Sequence, residues 1–135
     1  MKNRMKLLLA TAALGAVVLA GCSSAATAAV ETVAPATAAE IITTESDEVV
    51  LDIRTPEEFD EGVIEGAINI DFYAADFAAR LDTLDKDAHY VVYCRSGNRS
   101  GQANSTFEEL GFTNVTEIDG GIANWYNAGL PVVLP

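Results

Sequence analysis

Cysteine and histidine are scarce in this chain. Its 135 residues include two cysteines, Cys22 and Cys94, and one histidine, His89. No His/Cys/Asp cluster has ligand-like spacing, so no metal and no other cofactor is indicated. Positive charge is short as well, with eight Lys and Arg against twenty Asp and Glu, a net charge of −12. A surface of that sign repels nucleic acid and anionic lipid headgroups, which excludes nucleic acid as a partner. Long apolar runs are also lacking. The one early run, Leu7 to Ala20, falls short of the roughly 20 apolar residues that a spanning helix needs. The length leaves room for one ordinary domain and not two, and no internal repeat is visible. Nothing in it calls for more than a monomer.

What is there begins with a basic head. Lys2, Arg4 and Lys6 precede the apolar run, the pattern of a secretory signal peptide. The run ends "VLAGC", and Leu19-Ala20-Gly21-Cys22 resembles the lipobox of bacterial lipoproteins. That resemblance implies removal of residues 1–21, diacylglycerol on the Cys22 sulfur, and an extracytoplasmic protein held to the bacterial cell membrane by lipid. Two or more acyl chains give stable anchoring, at about 0.8 kcal/mol per buried methylene. Removal of residues 1–21 takes away three of the eight basic residues and no acidic one, leaving five against twenty, a net charge of −15. Membrane attachment is therefore expected from lipid and not from a basic patch. With Cys22 lipidated, Cys94 is left alone where lone thiols are usually paired or absent. It is either buried and inert or kept for its reactivity.

Residues 22–40 comprise Cys22 and "SSAATAAVETVAPATAAE", an Ala/Thr/Ser-rich stretch that reads as a flexible tether. The folded domain is expected over residues 41–135. Within it, Val49–Ile53 has the look of a buried strand. Thr55-Pro56-Glu57-Glu58 reads as a helix start, with a cap residue, Pro in the first turn and acids at the positive end of the dipole. Ala67–Ile70 is a second strand. Asp71–Leu84 has helical spacing, with Phe77 and Leu81 inward. Tyr90–Tyr93 is a third strand carrying Cys94 at its tip. Ser100–Leu110 reads as a helix, Val115–Ile118 as a strand and Gly121–Ala128 as a last helix. Strands alternating with helices predict an α/β domain with a parallel sheet flanked by helices on both faces. In such sheets, sites lie beyond the carboxyl ends of the strands, where Cys94 sits.

The loop after Cys94 is rich in what a thiolate needs. A thiolate, not a thiol, is the nucleophile, and helix N-termini or nearby cations lower the thiol pKa. "RSGNR" leads into a helix, so backbone N–H groups of Arg95, Ser96, Gly97, Asn98, Arg99 and Ser100 can converge on the sulfur. Arg95 and Arg99 add positive charge, and Gly97 permits the tight curve. The same cradle suits a small sulfur-containing anion such as thiosulfate or sulfite, or a phosphate.

"CRSGNRS" at 94–100 resembles the active-site loop of the rhodanese family of sulfurtransferases. "VVLDIRTPEEFDEGVIEGAINID" at 49–71 and "GGIANWYNAGLPV" at 120–132 are similar to that family in the same order. The resemblance implies a five-stranded parallel sheet with helices on both faces. It also implies a double displacement in which Cys94 takes sulfur from thiosulfate, a polysulfide or a small persulfide and passes it to a thiol or a partner protein. Arg95 stands where the family places a substrate-binding cation, and Arg99 closes the loop. Asp52 and Arg54 match the family's D-x-R signature, in a structural role through pairing at the strand end. Trp125 is expected in the core, and His89 on the surface or at a cap. The family commonly has His after the glycine at 62 and Pro before the glycine at 66. This chain has Val63 and Glu65, in a turn expected to lie away from the nucleophile.

Three other readings compete. Phosphatases with a Cys-to-Arg loop place five residues between the two, and here Arg95, Ser96, Gly97 and Asn98 intervene. The domain could instead be a persulfide carrier without turnover, or a membrane-tethered docking module for a partner protein. Inactive modules of this kind typically lack the Cys, which is present here. A redox-sensing thiol lacks a resolving Cys in this chain.

Overall fold

Strand and helix alternate through the whole of residues 30–135, the part of the chain that the computed structural model describes. The expected signal segment at 1–21 and the lipidation site Cys22 lie outside the described residues. The elements in order are β1 (Val30–Val33), α1 (Pro35–Thr44), β2 (Val49–Asp52), α2 (Pro56–Asp60), β3 (Ile68–Asn69), α3 (Phe77–Asp82), β4 (Tyr90–Tyr93), α4 (Asn98–Glu109), β5 (Val115–Ile118) and α5 (Gly121–Asn127). The strands form one five-stranded sheet in the order β1-β5-β4-β2-β3, parallel throughout.

Period-two alternation in the strands feeds two cores. Tyr90 and Val92 of β4 turn to one face, where Phe77 and Leu81 of α3 and Ala103 and Phe107 of α4 cover them. Val91 and Tyr93 turn to the other, under Ala38 of α1 and Ile122 and Trp125 of α5. A strand buried on both faces reads as the continuous run "YVVY", as a central parallel strand should. Trp125 belongs to the core as expected, its Nε1 donating to the Pro131 carbonyl at 2.9 Å. Among the described residues, no helix is long and apolar enough to cross a membrane.

The expected tether is corrected by the structure. Val30–Val33 pairs along β5 from Val30↔Val115 to Val33↔Ile118, and Ala38 is fully buried. Residues 30–40 therefore belong to the folded domain, which does not start at residue 41. Val30 and Val33 face opposite cores, one valine to each, so "VETV" carries little hydrophobic signal. Alanine on α1 is small enough to let that helix lie close on the sheet, yet composition alone reads it as linker.

The expected helix over 71–84 shortens to α3. Residues before it form turns, because the Asp71 carboxylate accepts the Tyr73 N–H at 2.9 Å and competes with helical bonding. In contrast, α4 begins two residues earlier than its expected start at Ser100, because Gly97 with φ +90° acts as its N-cap. His89 sits between α1 and β5. Its Nδ1 lies 2.6 Å from Glu45 Oε2 and its Nε2 2.8 Å from Thr116 Oγ1, which makes it a structural bridge.

Candidate active site

The sheet delivers Cys94 to its carboxyl end one residue past β4. The Cys94 side chain is almost fully enclosed, with the residue 1% exposed. The chain then turns back over it into α4. Gly97 makes that turn with its left-handed backbone, and its N–H points at the sulfur, 3.1 Å from Sγ. The Ser100 hydroxyl lies 3.5 Å from Sγ on the first turn of α4.

Two opposed effects set the thiol's acidity. Burial pushes it up, while the Ser100 hydroxyl and the N–H groups of Ser100, Ser96 and Gly97 favour the thiolate and prevail, so the thiol is held below its usual range. The loop can do this because its carbonyls are occupied elsewhere. Cys94 O accepts the Ile122 N–H at 2.9 Å and Arg95 O accepts the Ala123 N–H at 3.0 Å, both from the start of α5. That docking requires glycine at 121. Its φ is +60°, and a Cβ there would come within 2.8 Å of the Arg95 carbonyl carbon. One helix start therefore takes the loop's oxygens, and the other leaves the loop's N–H groups for the sulfur.

The two arginines of the loop part company. Arg99 is turned back onto α2, its Nη1 and Nη2 donating to Glu58 at 2.6 and 2.8 Å, with Tyr73 stacked 5.4 Å from its guanidinium. The Arg99 bonds pull the Glu58 carboxyl down to about 2. Arg95 is free by comparison, its side chain 72% exposed and 3.9 Å from Glu58 Oε1. It borders a cavity of about 200 Å³ together with Glu58, Gly62, Ala123 and Tyr126. The turn expected to lie away from the nucleophile thus reaches this cavity at Gly62. Val63, where the family commonly has His, is instead paired with Val133, its N–H 2.8 Å from the Val133 carbonyl. Asn98 faces solvent, and its Oδ1 accepts the Gln102 Nε2 at 2.6 Å, so it braces the helix start.

Asp52 and Arg54 form a buried pair at the end of β2. Arg54 Nη2 lies 2.6 Å from Asp52 Oδ2 and donates to the Gly62 carbonyl at 2.7 Å. The pair ties the strand end to the turn that flanks the cavity. Two residues escaped the sequence reading. Glu58 caps α2, its Oε2 accepting the Thr55 N–H at 3.1 Å, and also holds Arg99. The T-x-x-E box signals the cap, but nothing local signals the arginine. Glu117 lies in the middle of β5, 5% exposed, with its Oε1 2.5 Å from Ser100 Oγ. An acid inside the expected strand Val115–Ile118 was the available signal.

The pattern of the rhodanese-like domain matches residues 34–128. A sulfurtransferase of Allochromatium vinosum is 38% identical over 89 residues, 66% of this chain and 81% of that protein. The thiosulfate sulfurtransferase GlpE of Pseudomonas aeruginosa is 43% identical over 77 residues, 56% of this chain and 67% of that protein. In structure, a rhodanese-related protein of Thermoplasma volcanium superposes with a TM-score of 0.69 at 33% identity, over 78% of this chain and 99% of that one.

Proposed function

The chain belongs to the rhodanese-like domain family, and on that premise we propose that it is a sulfurtransferase that carries sulfane sulfur as a persulfide on Cys94. The observation that carries this reading is the Gly97 N–H 3.1 Å from Sγ, at the centre of a loop whose N–H groups converge on a buried sulfur. The Cys94 thiolate attacks the outer sulfur of a donor such as thiosulfate. A new sulfur–sulfur bond forms, the donor's own sulfur–sulfur bond breaks, and sulfite leaves with its electron pair. The persulfide anion stays in the cradle, where the same N–H groups hold its charge. An acceptor thiolate then attacks the outer sulfur and returns Cys94 to the thiolate. Arg95, exposed beside the cavity, is the cation that draws the anionic donor, with Ser96 to Ser100 as the anion-binding backbone.

Phosphate chemistry fits less well. The guanidinium of Arg99 is engaged by Glu58 and is not offered to a ligand. The loop is also one residue shorter than the Cys-to-Arg loop that accommodates a phosphate.

The reading extends to the membrane through the sequence alone, with Cys22 as the lipidated residue of an extracytoplasmic protein. Cys22→Ala is expected to shift the protein from the membrane to the soluble fraction. For the chemistry, the test is thiocyanate production from thiosulfate and cyanide. Wild-type protein turns over and Cys94→Ala does not. Equal rates for the two would defeat the assignment of Cys94.

A further inference from the structure

Cys94, Ser100 and Glu117 form a continuous buried chain from the reactive sulfur to a carboxylate. The three residues are 1%, 0% and 5% exposed. The Ser100 hydroxyl has one proton and three neighbours that compete for it. Glu117 Oε1 is at 2.5 Å, the Gly97 carbonyl at 3.3 Å and Cys94 Sγ at 3.5 Å. The carboxylate takes the proton, and a lone pair of the Ser100 oxygen then faces the thiol.

Among the described residues, the surroundings of Glu117 leave its charge without a cation. Its Oε2 accepts from Asn104 Nδ2 at 3.2 Å and from Thr32 Oγ1 at 3.3 Å, both neutral. From β1 the partner in register is Thr32, and from β4 it is Val92. Glu31 points to the other face by strand alternation. From α4, Ser100, Gly101 and Asn104 face it. Among the described residues, no arginine or lysine makes an ion pair with it. Among the described residues, the one titratable group that it reaches is the Cys94 thiol, through Ser100.

We propose that Glu117, acting through Ser100, is the acceptor of the Cys94 thiol proton. The thiol proton passes to Ser100 Oγ while the Ser100 proton passes to Glu117 Oε1. The products are a thiolate, a serine hydroxyl now turned to donate to it, and a neutral carboxyl. One negative charge is present before and after, so the transfer itself puts no second charge into the enclosed site. The neutral carboxyl also frees the Ser100 hydroxyl to stabilise the thiolate, and later the persulfide. When the thiolate is regenerated, the proton returns by the same path. Glu117 is thus a positioning residue for the proton. The proposal rests on Cys94 as the nucleophile, but it is tested on the thiol alone, without any sulfur transfer.

The measurement is the rate of Cys94 alkylation by iodoacetamide against pH, followed at that residue by mass spectrometry. Two sites sharing one proton titrate together in two macroscopic steps when they interact by more than about one pK unit. Wild-type protein is expected to show a rise, a plateau over which the proton stays within the pair, and a second rise. Glu117→Gln keeps the shape and removes the proton acceptor, so a single step is expected. If wild type and Glu117→Gln give the same single-step profile, the proposal fails. A second measurement covers the case in which Glu117→Gln does not fold. The carboxyl carbon of Glu117 is followed by NMR in wild type and in Cys94→Ala. Two-step titration in wild type that becomes one step in Cys94→Ala supports the relay, and unchanged titration overturns it. Loss of sulfur transfer with the two-step profile intact would refute the proposed function and leave this relay standing.

Discussion

Arg99 and Glu58, forty-one positions apart, are joined through two hydrogen bonds of 2.6 and 2.8 Å. The last arginine of the Cys94 loop is thereby fastened to the first turn of α2, and through Thr55 to the end of β2. The loop's curvature is held from three sides, by this clamp, by the start of α5, and by α4, into which it runs.

Glu58→Gln is expected to loosen that clamp. The Glu58 carboxyl lies at about 2 in the fold, against an ordinary 4.5. A lowered folded value gives stability that is fully present above about pH 4.5 and is lost as pH falls through about 2. With solvent at the edge of the pair, the expected contribution is on the order of 1–2 kcal/mol at neutral pH. Urea denaturation of wild type and Glu58→Gln should differ by that amount at pH 7 and converge toward pH 2. A constant difference across this range would refute the assignment.

Gly121→Ala should damage the loop from behind. The new Cβ would approach the Arg95 carbonyl oxygen to 2.9 Å, at a φ of +60° that favours glycine. Strain of this kind costs about 1–3 kcal/mol before the clash is counted. Thermal denaturation should show a lowered Tm. Cys94 alkylation should require higher pH, since the loop's N–H groups no longer converge.

Asp52→Ala removes the partner of Arg54, a residue that is 4% exposed. Breaking a buried pair from one side costs about 3–5 kcal/mol. Chemical denaturation measures it directly. Replacement of both residues by apolar ones of similar size should restore much of the loss.

The corrected start of the domain has its own test. A chain beginning at residue 41 lacks β1 and most of α1, and so uncovers the edge of β5 and the face around Ile118 and Trp125. It should melt well below a chain that begins at Val30. Equal Tm values would show that residues 30–40 are the tether that their composition suggests.

The legible parts of the fold were those carried by strong local patterns. "YVVY" announces a strand and T-P-E-E a helix start, and each lies where its pattern placed it. The failures share a cause. β1 owes its place to pairing with β5, and α1 to packing, and neither leaves a local mark in an Ala/Thr-rich stretch. Glu58 and Glu117 act on residues far along the chain, Arg99 and Ser100, so their roles exist only after folding. Composition does not separate the two arginines of the loop, which only the family resemblance distinguished; Arg99 is bound to Glu58 and Arg95 is exposed beside the cavity.

The most direct test of the central claim is the intact mass of the protein after incubation with thiosulfate or polysulfide, with Cys94→Ala alongside. The account predicts a gain of one sulfur atom, removed by cyanide and absent from the variant. A folded protein that gains no sulfur from either donor, or gains it equally without Cys94, would contradict it.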